Sequence, residues 1–446
     1  MSQALEFTLT AEARQSLALT VYNTDLALIR DTRILRLPQG VARLAFADVS
    51  AQIRAETARL YGELTVLEQN FDYDLLTPQK LLEKYVGREV GLIRSHPETG
   101  EETLERGTLL SVAEGGAVFR FDQRIETFGP KTPWRFVFDE VPENLRERPT
   151  LTMLVQSTND QERTVELAYL SGGLSWQADY VATVQGEAMD LTGWVTLSNH
   201  SGVGYPEARL QLLAGDVRQV APPPMKRALE ETMMAQAAPA MDREALFEYH
   251  LYTLERPTTL ADNQTKQVLL MQAEGVPVTR VYRVEANPYG PFTRQRDEEE
   301  LPVQVRLEFI NASPALGEPL PAGVVRFYQR DSAGQTQFIG EDRINHTPEG
   351  RRVELTLGNA FDVTATRRQT DFRRLGEREQ EAAWEVTLYN AKAEPVQVQV
   401  AAAFPGEWRI LEESAPHKRE SAATALWTVS VPAKGTMLLK YRVWMR

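Results

Sequence analysis

In Val303-Gln304-Val305-Arg306-Leu307-Glu308-Phe309, apolar and polar side chains change places at every residue. A strand sends successive side chains to opposite faces, so this period fits a strand with one buried face and does not fit a helix. The same rhythm recurs over 384–389, 396–400, 426–431 and 437–443, with turns at Asn390, Pro405-Gly406 and Pro432-Ala433-Lys434-Gly435 between the runs. Segment 380–446 is therefore expected to be a separate immunoglobulin-like sandwich that folds on its own.

Upstream, short apolar runs at 17–22, 26–29, 34–37 and 41–46 are broken by Asn23-Thr24-Asp25 and Pro38-Gln39-Gly40. That is the pattern of a β-meander and predicts an N-terminal β module over 1–70. Thr77-Pro78 predicts the start of a helix. The threonine hydroxyl can accept from the free amides of the first turn, and proline suits the first helical position. Leu81, Leu82 and Tyr85 share one face of it, and Gly87 ends it. Several short strand patterns follow up to 121, so 77–130 is expected to be a small SH3-like or Sm-like barrel. Residues 131–379 are expected to form a central β-sandwich domain. A flexible insertion at about 221–245 carries Pro222-Pro223-Pro224, Met233-Met234 and several alanines. The predicted fold class is mainly β, with multi-domain β-sandwiches, one small barrel insertion and the C-terminal sandwich.

At 446 residues the chain exceeds what one hydrophobic core supports, which agrees with several domains. Its net charge of −13 argues against nucleic acid as a partner, since a polyanion needs a concentrated basic surface. The barrel segment itself carries Glu98, Glu101, Glu102, Glu105 and Glu114. With no cysteine, neither a disulfide nor a thiolate zinc site can form. No apolar stretch reaches the ~18 residues that span a bilayer. Met1-Ser2-Gln3-Ala4-Leu5-Glu6 lacks the basic and apolar regions of a signal peptide. The expected location is cytoplasmic, or periplasmic or envelope if a signal peptide has been removed.

Few side chains offer chemistry. No P-loop, His-Glu-x-x-His, Gly-x-Ser-x-Gly or dinucleotide fingerprint is present. Gly172-Gly173-Leu174-Ser175-Trp176 lacks the second glycine of a nucleophile elbow and reads as a turn before a strand. The five histidines, His96, His200, His250, His346 and His417, are not paired at ligand spacing. Glu341, Asp342 and His346, with Asp362 and Asp371 later, are the residues that would bind a metal or run acid–base work if the fold gathered them. The competing reading makes them polar turn and strand-edge groups. Asn199-His200-Ser201-Gly202 is a polar turn in which His200 is a candidate ligand contact. Trp176, Tyr180, Trp194 and Tyr205 would form a sugar-stacking platform if exposed, or core if buried.

One series of motifs resembles domain-of-unknown-function family 4139, a mucoidy-inhibitor-like family. It begins with Tyr169-Leu170-Ser171-Gly172-Gly173-Leu174-Ser175-Trp176-Gln177-Ala178-Asp179-Tyr180 and Leu191-Thr192-Gly193-Trp194. It continues with Tyr249-His250-Leu251-Tyr252, Gly340-Glu341-Asp342-Arg343-Ile344-Asn345-His346-Thr347-Pro348 and Gly358-Asn359-Ala360-Phe361-Asp362-Val363. The resemblance covers roughly 150–446. It implies a bacterial, envelope-associated protein and brings no catalytic residues. The coiled coil of those relatives is replaced here by the segment at 78–128.

The expected function is thus a non-catalytic envelope-associated binding or assembly protein without a cofactor, whose partner is a protein or a cell-surface polysaccharide. The rivals are a metal-dependent hydrolase built around Glu341, Asp342 and His346, and a cytosolic protein-binding scaffold.

Overall fold

The structure, a computed structural model, describes residues 5–72, 76–95, 100–113, 116–129, 134–142, 145–215, 217, 241–246, 249–286 and 298–446. Strand accounts for 67% of residues and helix for 3%, so the chain is mainly β, as its alternation requires. The strands lie in several separate sheets rather than one.

Strand Gly40–Ala47 pairs antiparallel with Thr150–Ser157, and Ala27–Arg36 pairs with Glu162–Ser171. The strands of the expected N-terminal β module, 1–70, do not close a unit by themselves. They share two sheets, and one apolar core, with strands from 150 onwards. Alternation shows which face of a strand is buried but not which strand lies beside it, and here the partner lies some hundred residues away. Between the two halves, Thr65–Asp72 leads into the small domain and Thr150–Ser157 returns from it, side by side in one sheet.

That inserted domain begins with helix Pro78–Lys84, where the Lys80 amide donates to the Thr77 hydroxyl at 3.2 Å, the predicted cap. Its five strands run in the order 124–128, 116–121, 102–113, 89–95, 134–137. The sheet curls around Tyr85, Phe119, Phe121 and Phe128. Phe128 and Phe136, from the two edge strands, meet edge-on at 6.5 Å. Residues 96–99 and 114 lie outside the described residues, and with them His96, Glu98 and Glu114.

The chain passes from Glu162–Ser171 in one sheet to Leu174–Gln185 in the next through Gly172-Gly173. Gly173 sits at φ +79°, and a Cβ there would lie 2.6 Å from the Ser201 Cα, so the corner needs glycine. The reading of this motif as a turn before a strand, not a nucleophile elbow, is what the backbone forms. Of the insertion expected at about 221–245, residues 221–240 lie outside the described residues. Met241–Leu246 is a strand pairing with Tyr249–Leu254.

One buried polar node joins the first two sheets. Arg33, fully buried, donates to the Asp31 carboxylate at 2.7 Å, to the Leu9 carbonyl at 2.6 Å and to the Ala47 carbonyl at 3.0 Å. Arg14 adds a second cation to Asp31 at 2.9 Å.

The C-terminal sandwich faces a six-stranded sheet against a five-stranded one. Its core draws on Tyr282, Val284, Val303, Val363 and Ala365 as well as Trp384, Trp427 and Leu439. The boundary expected at 380 is corrected, since strands Thr279–Glu285, Glu299–Leu301 and Val363–Arg374 belong to the same two sheets. Among the described residues no helix is long and apolar enough to cross a membrane.

Candidate binding cleft at the sandwich junction

Three of the four expected platform aromatics are core. Trp176, Tyr180 and Tyr205 are 2%, 0% and 2% exposed. The Trp176 indole donates to the Leu213 carbonyl at 3.3 Å, and the Tyr180 hydroxyl donates to the Pro321 carbonyl at 2.8 Å. Burial pushes the Tyr205 hydroxyl up to about 12, and its oxygen lies 2.9 Å from the Ser201 hydroxyl. Trp194, half-buried, stands opposite Asp179 in the ladder, on the face that Trp176 and Tyr180 do not use. No stacking platform forms, because the shared period of Trp176 and Tyr180 puts both on the buried face.

Asp179 occupies the outer face with Trp194. It accepts from the Thr196 hydroxyl at 2.7 Å and from Arg326 at 2.9 Å, and Arg326 reaches Glu341 at 3.2 Å. Glu341 is thus the end of a polar row across the sheet. Asp342, the next residue, points the other way and accepts the Thr356 amide at 2.7 Å. His346 accepts the Ala322 amide on Nδ1 at 3.2 Å. The three groups diverge, so the geometry does not assemble the metal or acid–base trio. Among the described residues no three His, Asp or Glu side chains are placed to share a metal ion. Asp371 pairs with Arg442 at 2.9 Å, far along another strand. His200 is exposed on its turn, with Nδ1 at 3.3 Å from the Asn263 side chain.

Asp342 does something else of interest. Strands Thr336–Ile344 and Arg352–Asn359 belong to different sheets, and its carboxylate supplies a link between them in place of a ladder bond. Both strands bulge at this point. Ile339 is the extra residue opposite Phe327 and Tyr328, and Leu357 is the extra residue opposite Val305 and Arg306. A bulge bends a strand and re-aims its side chains. Gly340 adopts φ +146°, and a Cβ on it would lie 2.4 Å from the Leu357 carbonyl oxygen, so only glycine lets the two bulges touch.

The bent strands open a cleft of about 410 Å³ between the central and C-terminal sandwiches. Its floor is apolar, with Val184, Val305, Leu307, Ile339 and Leu357, and its rim carries Arg280, Lys392, Asn359, Phe361 and Asp362. Phe361 is 94% exposed. Its loop is fixed on both sides: the Ala360 amide donates to the Val303 carbonyl at 2.7 Å, and the Asp362 carbonyl accepts the Ala391 amide at 2.8 Å. The Lys392 ammonium lies 5.5 Å from the Tyr282 ring centre. Among the described residues neither Arg280 nor Lys392 has a carboxylate partner. A second hollow of about 360 Å³ on the C-terminal sandwich differs in this respect, because its Lys440 pairs with its Glu385 at 2.8 Å.

An exposed phenylalanine stands here beside an apolar floor and two cations that have no carboxylate partner among the described residues. Arg280, Tyr282, Phe361 and Lys392 were not singled out in the sequence. The available signal was the motif 358–363, in which a phenylalanine sits in a polar turn. No family model matches the chain, and no curated protein matches it in sequence.

Proposed function

We propose that this chain is a non-catalytic, envelope-associated bacterial protein that serves in binding or assembly, with the junction cleft as its working surface. The observation that carries the reading is Phe361, held rigidly in water at the cleft rim. Exposing an aromatic ring costs solubility and gains nothing for the fold, whereas aromatic anchors dominate protein interfaces. Arg280 and Lys392 favour a protein partner whose matching face is acidic. A polysaccharide partner has less support, since Trp176, Tyr180 and Tyr205, three of the four aromatics that would stack on sugar, are core. The envelope location rests on the motif resemblance over 150–446. In the same spirit we read the inserted domain as SH3-like or Sm-like and the C-terminal unit as immunoglobulin-like.

Site-specific incorporation of a photo-crosslinking phenylalanine analogue at 361, in cells, tests the assignment. The expected result is a discrete crosslinked partner that disappears with Lys392→Glu and is absent when the analogue is placed at Leu438 on the opposite sandwich face. Equal crosslinking at both positions, or none at 361, rejects the cleft. Cell fractionation separates the envelope reading from a cytosolic scaffold.

A further inference from the structure

The outer face of the eight-stranded sheet that contains Ala27–Arg36 carries a third hollow, of about 330 Å³, apart from the junction cleft. Arg209, Ala18 and Arg30 stand side by side on three neighbouring strands, Tyr205–Ala214, Arg14–Tyr22 and Ala27–Arg36. Register neighbours share a face, so the two arginines flank an alanine, and the small residue leaves a trough between them. Both guanidiniums line the hollow together with Glu166, Gln211 and Thr253.

Among the described residues neither Arg30 nor Arg209 has an ion-pair partner. The Nε of Arg30 is shut away from solvent and has no hydrogen-bond acceptor, and its Nη2 makes one long bond, 3.4 Å, to the Gln211 side chain. Gln211 is itself held by donating to the Thr253 hydroxyl at 3.3 Å. A buried guanidinium N–H without an acceptor is costly. Guanidiniums recognise oxyanions through paired N–H groups.

We infer that this trough is a binding site for a singly charged oxyanion group, of the carboxylate or phosphodiester kind. Among the described lining residues, two arginines and Glu166 leave one net positive charge, which one negative charge neutralises. A dianion would meet the Glu166 carboxylate. Arg30 and Arg209 supply the guanidinium donors that line the trough, and Ala18 lies between them.

The test is binding of dimethyl phosphate, acetate and inorganic phosphate to the full chain, followed by thermal shift and by line broadening in NMR of the probes. Saturable binding of a monoanion is expected, weakened about tenfold by Arg209→Gln, the loss of one charge-assisted hydrogen bond. Arg30→Gln has the same effect if it folds. Arg368→Gln, on another sheet, leaves binding unchanged. Glu166→Gln tightens inorganic phosphate relative to dimethyl phosphate. The preferred probe in the wild type distinguishes a carboxylate ligand from a phosphodiester. No saturable binding of any probe, unchanged affinity in Arg209→Gln, or loss of phosphate binding in Glu166→Gln overturns the inference.

Discussion

Replacing Arg33 by methionine removes the node that ties the first two sheets together. The guanidinium is completely buried and serves three acceptors at once: the Asp31 carboxylate and the carbonyls of Leu9 and Ala47. Methionine fills much of the volume but donates nothing, so two carbonyls lose a donor and Asp31 keeps only Arg14. Each buried acceptor left alone costs about 1–3 kcal/mol. Breaking a buried ion pair from one side costs about 3–5 kcal/mol, and that range is the expected loss. For a unit of this size it lowers Tm by about 6–20 °C. Differential scanning calorimetry with urea titration measures it. The pH dependence gives a second handle. Burial pushes the Asp31 carboxyl up, but the hydrogen bonds from Arg14 and Arg33 outweigh it and hold the group below its ordinary value of 3.8. A depressed carboxylate stabilises the fold at pH above that ordinary value, and the contribution disappears as pH falls through the lower, folded value. The wild-type advantage over Asp31→Asn should therefore be full at neutral pH and shrink only in strong acid. A fall of less than about 2 °C for Arg33→Met would refute the reasoning.

Other outcomes follow from the same geometry. Gly340→Ala should destabilise by more than about 1 kcal/mol, read as a drop in urea midpoint, because its Cβ would strike the Leu357 carbonyl. Glu341→Gln and His346→Ala should leave stability within about 0.5 kcal/mol, since both side chains are exposed, and calorimetry checks this. Excised 380–446 should give an unfolded circular dichroism spectrum, because the strands Thr279–Glu285 and Val363–Arg374 that complete its two sheets are missing. Trp176→Ala should cost about 3–5 kcal/mol, as for a large core aromatic.

Much of the fold was legible in the strand period. Gln380–Asn390 and Gly435–Met445 are strands with the buried faces that their alternation requires, and Val303–Ile310 is a strand in which Glu308 is buried as well. The helix at 78 was legible from Thr77-Pro78, because capping is local chemistry. Domain boundaries were not, since pairing between Gly40–Ala47 and Thr150–Ser157, or Thr279–Glu285 and Val396–Ala403, joins segments with no local signal between them. The candidate site was legible only in part. The sequence leaves Trp176 and Tyr180 open as platform or core, and burial makes them core. Adjacent acidic residues such as Glu341 and Asp342 look like a pair in sequence, yet a strand sends them to opposite faces. The cleft depends on two bulges from different sheets meeting, a long-range event that the motifs around Gly340 and Gly358 mark without revealing.

The most direct test of the junction cleft is the affinity of the crosslinked partner, once isolated, for wild-type protein and for Phe361→Ser, measured by calorimetry alongside thermal unfolding. The expected result is a loss of affinity by a factor of about thirty or more, some 2 kcal/mol for an aromatic anchor, with Tm unchanged because the ring touches little of the fold. Undiminished affinity, or a fall in Tm that accounts for the whole loss, would contradict the assignment.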